Sequence, residues 1–396
     1  WTVPHDRVLR GWDDGDPHLG KVVVKNFADG VQWMRERNLL LSGPQQVLHG
    51  YGYHFNVVEH LKDCARKIRN NDGHVITNAQ VEKLIVENSK VTGAYVIHDG
   101  EKITIKAEAV ILATGGYQGN PEMRAERIHP NARNIPLRSN KESVGEGIKL
   151  GLEAGGTWSG DNPGFYGHLV SSPSNLSDTT LFTRLSQYHS DYSLLFNEQG
   201  KRFVDESQGD FRSSNMTVFE SNGRGLLVWD EYIHKNHIMK PFVEGIDPED
   251  RLEIALQHGA DGKKVQSLEE LAKVVSDWGF DGHEVVKSME EYNYKIKNCP
   301  EQLSPSRSFF RREINEAPFY ALVVEPAITF THGGLKVDAH ARVLNDEGVP
   351  IEGLYAAGAD AGNIYNCGYA GGLALALTFA MAAVDAIESR QTVENS

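Results

Sequence analysis

The chain of 396 residues is long enough for two domains with sizeable cores. Its hydrophobic content of 40% and charged content of 24% are ordinary for a globular protein. The formal charge of −14 argues against a nucleic-acid partner, because a phosphate-binding surface needs an excess of Lys and Arg.

The cysteines and the apolar segments exclude further classes of protein. Cys64, Cys299 and Cys367 are too few and too dispersed for a disulfide framework or a cysteine-type zinc or iron–sulfur site. We therefore predict no metal site and a reducing, cytoplasmic location. Residues 1–20 lack the apolar core of a signal peptide, and no run approaches the roughly 20 apolar residues that span a bilayer. We expect a soluble chain with no membrane span.

The first hundred residues are predicted to contain two helices followed by short strands. Apolar residues at helical spacing indicate an amphipathic helix over residues 17–43 and a second helical pattern that starts at Phe55 and ends near Asn71. Short β-type segments then cover residues 74–81, 83–88, 91–98, 103–105 and 109–112.

The last of these strands ends in the turn sequence Ala113-Thr114-Gly115-Gly116. Glycine has no Cβ, so a turn of this kind lets the backbone approach a ligand closely, although alone it is more often an ordinary strand-end turn. A second glycine-rich motif, SVGEGIKLGLEAGG, follows at residues 143–156.

A change in composition marks an insertion from about residue 158 to residue 318. Asn, Ser, Asp, Lys and Glu become more frequent, strands are hard to assign, and helical patterns appear near residues 268–275 and 285–296. The sequence predicts an α/β protein with an inserted α+β domain.

The last quarter combines a strand, a glycine-rich loop and a small-residue helix. The strand Leu354-Tyr355-Ala356-Ala357 ends at Gly358, and a helix starts near Gly371. The free N–H groups of such a helix start favour an electron-rich partner. A buried helix packed tightly on a sheet is the alternative.

Three motifs in this quarter carry a resemblance to a known family. The sequences THGGLKVD, IEGLYAAGA and GYAGGLA resemble the C-terminal flavin-contacting segment of the fumarate reductase/succinate dehydrogenase flavoprotein superfamily. The match is closer to its tricarballylate dehydrogenase and 3-ketosteroid dehydrogenase branches. The resemblance implies a Rossmann-like two-dinucleotide-binding-domain flavoprotein with FAD as cofactor. Residues 1–157 and 319–396 would form the FAD-binding domain, and residues 158–318 the capping domain.

The resemblance also implies which residues contact FAD. The family usually has G-D-G where this chain has Gly145-Glu146-Gly147, so Glu146 is a conservative departure with a longer reach. The implied contacts are Val81, Ala113, Thr114, Gly115, Gly116, Glu146, Gly358, Ala359, Gly372, Ala374 and Leu375.

One expected motif is absent. The family begins with a strand and a G-x-G-x-x-G loop that hold the FAD diphosphate, and no such loop precedes residue 100. We expect that the N-terminal segment is truncated, was lost or is a separate chain, and that FAD affinity is poor unless that segment is supplied.

The resemblance implies that the substrate is not a dicarboxylate. Family members that reduce dicarboxylates clamp the substrate with two arginines and a histidine, at positions where this chain has His234, Phe330 and Tyr369. Phe and Tyr cannot replace a bidentate guanidinium. Tyr369 instead resembles the ketosteroid dehydrogenases, where a phenol hydrogen-bonds a substrate carbonyl.

Tyr369 is the first candidate for catalysis, with packing over the flavin ring as its alternative. His234 occupies the proton-donor position and titrates in a suitable range. His168 falls where the family often has a substrate-facing histidine, and His332 directly precedes Gly333-Gly334. Arg202 and Glu206, in a motif that resembles N-x-x-G-x-R-F-x-D/N-E, are expected to form a structural ion pair.

The leading hypothesis is an FAD-dependent oxidoreductase that transfers hydride between flavin N5 and a carbon next to an activating carbonyl of a small molecule. A separate electron donor or acceptor is a possible partner. One alternative is a small-polycarboxylate dehydrogenase or reductase in which Arg184 or Arg212 supplies the missing clamp. Another is a cofactor-free fragment or structural subunit, supported by the absent nucleotide loop.

Overall fold

The computed structural model describes residues 15–37, 41–47, 50–160, 164–241, 243, 245, 247–364 and 371–394. Helices and strands are mixed along the chain, which confirms the predicted α/β class. The chain forms two compact units. The first contains Trp1–Tyr117, Ser143–Pro163 and Thr331–Ser396, and the second contains Gln118–Glu142 and Gly164–Phe330. Residues 118–142 therefore pack with the second unit, whereas the predicted ranges assign them to the FAD-binding domain.

The elements follow one another in this order: α1 (Pro17–Glu36), β1 (Leu41–Val47), β2 (Gly50–Phe55), α2 (Val57–Asn70), β3 (Ala79–Glu87), β4 (Lys90–His98), β5 (Glu101–Lys106), β6 (Val110–Leu112), α3 (Pro121–Arg127), α4 (Glu146–Glu153), β7 (Trp158–Ser159), β8 (Phe165–Ser171), α5 (Leu181–Arg184), β9 (Leu194–Phe196), α6 (Asp210–Glu220), β10 (Gly225–Asp230), α7 (Glu231–Ile233), α8 (Arg251–Gln257), β11 (Gly262–Val265), α9 (Leu268–Asp277), α10 (Gly282–Asn298), β12 (Phe319–Thr331), β13 (Gly334–Leu335), β14 (Arg342–Leu344), β15 (Pro350–Ala356) and α11 (Gly372–Glu394).

The first helix is shorter than the sequence predicts. Asp16 caps α1 by accepting a hydrogen bond from the His18 N–H at 2.8 Å, and Pro17 occupies the first turn. The helix ends at Glu36, and residues 41–47 form a strand instead of its continuation. Pro44 lacks the N–H that a helix needs, so the apolar residues near it do not extend the helix.

The main sheet of the first unit contains six strands in the order β14–β15–β4–β3, with β5 on β4 and β6 on β15. The predicted strands at 74–81 and 83–88 are one strand, β3, which begins only at Ala79. β6 and β15 are parallel, with Leu354 opposite Val110 and Ala356 opposite Leu112. Their carboxyl ends therefore meet at the same edge of the sheet.

Two helices of the first unit pack closely through a glycine. A Cβ on Gly30 of α1 would lie 2.7 Å from Leu377 Cδ2 of α11, so any larger residue would force the Leu377 side chain to move. Other apolar side chains of this unit face water. Leu61 of α2 is 61% exposed and Leu373 of α11 is 62% exposed.

We predicted that no segment is as long and apolar as a membrane span, but one stretch of α11 meets these two criteria. Gly372–Arg390 is long and apolar enough to cross a bilayer, and 28% of that stretch is buried. Nine of its 19 residues are Ala or Leu, and its charged residues are Asp385, Glu388 and Arg390. One such helix is weak evidence, since the core helix of a soluble protein meets the same criteria.

The second unit is built on a five-stranded sheet of order β11–β12–β10–β9, with β8 also paired to β12. Val228, Leu322 and Met289 belong to its large apolar core, which also includes residues of α9 and α10. Glu206 is fully buried and binds two guanidinium groups, with Arg202 Nη2 at 2.6 Å and Arg307 Nη1 at 3.1 Å. The Arg202–Glu206 ion pair thus has a structural role, as expected.

Candidate functional site

The first unit brings two strand-end turns together at one sheet edge. Thr114, Gly115 and Gly116 follow β6, and Gly358, Ala359 and Asp360 follow β15. Because the two strands are parallel and adjacent, the turns lie side by side. The sequence motifs that end each strand are therefore neighbours in space.

Asp360 joins the two turns. Its buried carboxylate accepts hydrogen bonds from the Thr114 N–H, from Thr114 Oγ1 at 3.1 Å and from the Gly116 N–H at 3.4 Å. Burial raises the pKa of Asp360, and these donors oppose that rise by stabilising the carboxylate. The shape of the edge depends on this one side chain.

The Gly145-Glu146-Gly147 motif packs directly on the same turn. Gly145 has φ +88° and begins α4, and the Gly147 N–H donates to Thr114 Oγ1 at 3.0 Å. A Cβ on Gly147 would lie 2.6 Å from Thr114 Oγ1 and 2.8 Å from Asp360 Oδ2. Glu146 lies between the two glycines with an exposed side chain, so its carboxylate is available to a ligand.

The start of α11 lies beside the second turn. A Cβ on Gly358 would be in ordinary contact, at 3.6 Å, with Ala376 Cβ of α11. The structure thus groups nearly all the predicted cofactor residues: Ala113, Thr114, Gly115, Gly116, Glu146, Gly358, Ala359 and the first turn of α11 with Gly372, Ala374 and Leu375. Val81 is apart from these contacts, because it lies in β3 opposite Val96 with its side chain exposed.

The second unit holds His168 in a buried polar cluster. Nδ1 of His168 contacts Asp210 Oδ2, and Nε2 lies 2.7 Å from the Tyr166 hydroxyl oxygen. The His168 side chain is fully buried, which lowers its pKa, and Asp210 opposes that shift. The imidazole is therefore held in one orientation by partners on both nitrogens.

His234 also has partners on both ring nitrogens. The Trp229 Nε1–H donates to Nδ1 at 3.4 Å, and Nε2 lies 3.3 Å from Asp250 Oδ2. Its ring stacks on Tyr320 with centroids 4.2 Å apart. This arrangement ties His234 into the packing of the second unit, although the sequence had assigned it the proton-donor position.

Of the other two catalytic candidates, His332 and Tyr369, the structure describes only His332. His332 is 5% exposed, and burial lowers its pKa from the ordinary value near 6.5 to about 3. A neutral imidazole at physiological pH follows. Tyr369 lies outside the described residues and stays a prediction, as does its role.

Asp360, Asp210 and Tyr166 are site residues that the sequence did not predict. Asp360 lies 246 residues from Thr114, so no local pattern announces their contact. The spacing of Tyr166 could have revealed it. Tyr166 and His168 are two positions apart in β8, so they share one face of the strand. Arg184, offered as a replacement clamp, instead pairs with Glu249 at 3.0 Å.

Comparisons with known proteins agree with the geometry of the first unit. Residues 3–373 match the family described as FAD binding domain. The chain belongs to this family. Its relatives identify the group as the fumarate reductase/succinate dehydrogenase flavoprotein superfamily, which confirms the resemblance and FAD as the cofactor.

Two relatives and one solved structure illustrate the range of the superfamily. The chain is 30% identical to the NADH:acrylate oxidoreductase of Vibrio harveyi, over 80% of the chain and 30% of that protein. It is 28% identical to the fumarate reductase (cytochrome) of Shewanella frigidimarina, over 93% of the chain and 62% of that protein. The chain therefore spans well under the full length of these relatives.

The structure of 3-ketosteroid-Δ4-(5α)-dehydrogenase from Rhodococcus jostii RHA1 shares the fold. Its TM-score is 0.66 at 18% identity, over 91% of this chain and 78% of that one. Reductases and a ketosteroid dehydrogenase thus both resemble the chain, and the choice of branch stays a prediction.

The described residues fit a flavin. At Gly115, with φ +101°, a Cβ would come within 2.9 Å of Ser143 Oγ, so this position needs glycine, whose backbone a ligand can approach closely. FAD would be held by the backbone of residues 113–116, by Glu146, by Gly358 and Ala359, and by the first turn of α11. Bound there, it would supply hydride chemistry.

Replacing Asp360 with Asn should loosen this edge. The amide NH₂ of Asp360→Asn would face N–H donors, and we expect the free energy of unfolding to fall by about 2–3 kcal/mol, with weaker flavin retention. Urea unfolding and flavin absorbance measure the two effects. Asp338→Asn is the control, since Asp338 lies in a partly exposed turn and bonds the His340 N–H at 2.9 Å. Equal losses in both variants would contradict the assigned role.

His332 should make the protein sensitive to acid. In the folded protein the pKa of His332 is lowered to about 3, whereas in the unfolded state it is near 6.5. The free energy of unfolding is therefore highest above pH 6.5 and falls as the pH drops below it, because only the unfolded state takes up the proton. The expected slope is about 1.4 kcal/mol per pH unit between those values. His332→Gln should remove that slope in urea unfolding at several pH values, and the exposed His340→Gln should not. Identical slopes in all three proteins would refute the assignment.

Proposed function

We propose that this chain contains the flavin- and substrate-binding parts of an oxidoreductase that forms or reduces a carbon–carbon double bond next to an activating carbonyl. The observation that carries the proposal is the glycine-lined edge where Asp360 joins the Thr114–Gly116 turn to the turn after β15. Bound FAD would supply or accept the hydride. The protein's own groups must then handle one proton and orient the substrate.

His168 is the best supported group for the proton. Asp210 holds its Nδ1 side, and the second Asp210 oxygen accepts from the Leu169 N–H at 3.1 Å, which fixes the carboxylate. His234 stays a predicted proton donor, although its Nε2 lies 3.3 Å from Asp250 Oδ2 and its ring stacks on Tyr320. Tyr369 keeps its predicted role as donor to a substrate carbonyl.

A neutral carbonyl compound is the leading substrate class. Phe330 stands where the resemblance implies a carboxylate-binding histidine, and its ring packs on Tyr166 with centroids 5.3 Å apart. An aromatic pair of this kind favours an apolar substrate surface and offers no charge to a carboxylate. This supports an enone or a saturated ketone, as in the ketosteroid dehydrogenase branch.

One buried guanidinium favours a second candidate, an unsaturated carboxylic acid. Arg138 is 7% exposed and has no acidic partner among the residues that the structure describes. It donates to Thr329 Oγ1 at 2.7 Å and to the Tyr188 hydroxyl at 3.2 Å, while its Nε–H has no acceptor there. A buried cation is stabilised by an anion, which a substrate carboxylate would provide. Two of the relatives above are named for unsaturated carboxylates, acrylate and fumarate.

The function is tested with the full-length protein loaded with FAD. Anaerobic reoxidation of the reduced flavin by cyclohex-2-enone, 4-androstene-3,17-dione, acrylate and fumarate, followed at the visible flavin maximum, compares the substrate classes. We expect at least one enone or monocarboxylate to reoxidise the flavin faster than fumarate does. A protein that takes up no flavin would support the cofactor-free alternative, and one oxidised only by fumarate would contradict the leading class.

Arg138→Gln separates the two candidates. If acrylate is a substrate, losing the guanidinium should raise its KM by about 10-fold or more, because a charge-assisted hydrogen bond is lost, and leave the KM of cyclohex-2-enone within about 2-fold. Arg124→Gln is a matched control. Arg124 is also a buried guanidinium of the second unit, bonded to the Ile135 carbonyl at 2.9 Å and the Arg133 carbonyl at 2.7 Å. An unchanged acrylate KM in Arg138→Gln would remove the carboxylate candidate.

A further inference from the structure

A cleft of about 900 Å³ lies in the first unit between α1, α11 and the hairpin of β14 and β15. The residues that line it come from three separate stretches of the chain, which are 18–26, 339–355 and 382–390. None of them belongs to the turns after β6 and β15 or to the first turn of α11. The cleft is therefore a different place from the flavin-binding edge, and it is large enough for a nucleotide-sized molecule.

Basic side chains outnumber acids in the cleft, although the whole chain has a formal charge of −14. The lining contains four Lys or Arg residues, two histidines and two acids: Lys21, Lys25, Arg342, Arg390, His18, His340, Glu352 and Asp385. Glu352 is already bound by Arg390 and by Lys90 Nζ, the latter at 3.3 Å. The acids of the cleft thus do not neutralise its cations, and the remaining positive charge favours an anion.

Lys21 and Lys25 lie about one turn apart on α1, and both side chains are exposed. Neither has an acidic partner within the part of the chain that the structure describes. Like charges four residues apart on a helix repel each other and destabilise it. An anion bound between the two ammonium groups would remove this repulsion.

Asp338 orients the guanidinium of Arg342 in the hairpin. Its Oδ2 accepts a hydrogen bond from Arg342 Nε at 2.7 Å and lies 2.6 Å from Nη2. The third nitrogen, Nη1, has no acceptor among the residues that the structure describes. A guanidinium that is already held in place loses little freedom when it binds an oxyanion, so Arg342 is prepared for such a ligand.

Tyr355 of β15 lines the cleft and is only 4% exposed. It lies opposite Arg342 in the hairpin, so the two side chains share one face of the sheet. Its hydroxyl has no hydrogen-bond partner in the described part of the chain. Burial raises the pKa of Tyr355, and Arg390 and Arg342 oppose this rise, so the hydroxyl keeps its proton close to two cations. A buried donor without an acceptor is costly, and a ligand oxygen in the cleft would remove that cost.

We propose that this cleft binds a nucleoside diphosphate, whose phosphates contact Lys21, Lys25 and Arg342. Ammonium and guanidinium groups are common partners of phosphate oxygens. Three apolar residues of the lining suit a nucleobase: Val22, Ile351 and Ala382. Asp385 can accept hydrogen bonds from the hydroxyls of a ribose, which an inorganic anion lacks. This site does not depend on the proposed function.

Binding is tested with the FAD-loaded full-length protein, in which the flavin edge is occupied. Isothermal titration calorimetry at about 0.15 M salt compares ADP with adenosine, inorganic phosphate and succinate, and flavin absorbance checks that FAD is not displaced. We expect ADP to bind about 10-fold or more tightly than each of the other three, because only ADP has both the phosphates and the nucleoside. Phosphate or succinate binding as tightly as ADP would overturn the proposal, as would no binding of ADP at millimolar concentration.

Variants of the cleft locate the bound ADP. Lys21→Gln/Lys25→Gln should weaken ADP binding by about 10-fold or more, because two charge-assisted contacts are lost. Tyr355→Phe should weaken it by about 3-fold or more, with unchanged flavin content. Lys263→Gln/Lys273→Gln is the matched control, since it removes two exposed lysines of the second unit that also lack acidic partners among the described residues. The control should bind ADP within about 2-fold of the wild type. Equal losses in the two double variants, or an unchanged affinity in Lys21→Gln/Lys25→Gln, would overturn the proposal.

Discussion

The hydrogen bonds that the Asp360 carboxylate accepts determine the shape of the sheet edge where the turns after β6 and β15 meet. Parallel pairing of β6 and β15 brings two turns to one edge, but pairing alone does not fix how the turns are shaped. Asp360 does so by accepting the N–H groups of Thr114 and Gly116, which otherwise would lie at a strand end without acceptors. Asp360, which follows β15, thus shapes the turn that follows β6. The start of α4 packs on that turn, because the Gly147 N–H donates to Thr114 Oγ1.

In the second unit too, buried carboxylates fix the positions of the groups that they bind. Asp210 fixes a histidine, and Glu206 binds the guanidinium groups of Arg202 and Arg307. Buried carboxylates are costly unless several donors surround them, so each one fixes the position of every group that it contacts. The apolar core around β10 and β12 supplies the stability, and the carboxylates supply the geometry.

The glycine-rich turns could be predicted from sequence because their requirement is local. Positive φ at Gly115 and Gly145 needs glycine whatever the rest of the chain does. The contacts of Asp360 and Asp210 could not, since their partners are brought near only by strand pairing and packing across the sequence. The end of α1 was misplaced for a related reason. Apolar spacing continued past Glu36, and the chain left the helix before that spacing stopped.

The close packing of Gly147 limits how this chain can vary in evolution. Any Cβ there would meet Thr114 and Asp360 at less than 3 Å, and Gly145 excludes side chains through its backbone angle. Glu146, between them, faces solvent and meets neither constraint. Substitutions in this motif are therefore confined to its central position, where the length and charge of one side chain can change without moving the scaffold. Within this motif, Glu146 is thus the position where substitution can change cofactor affinity.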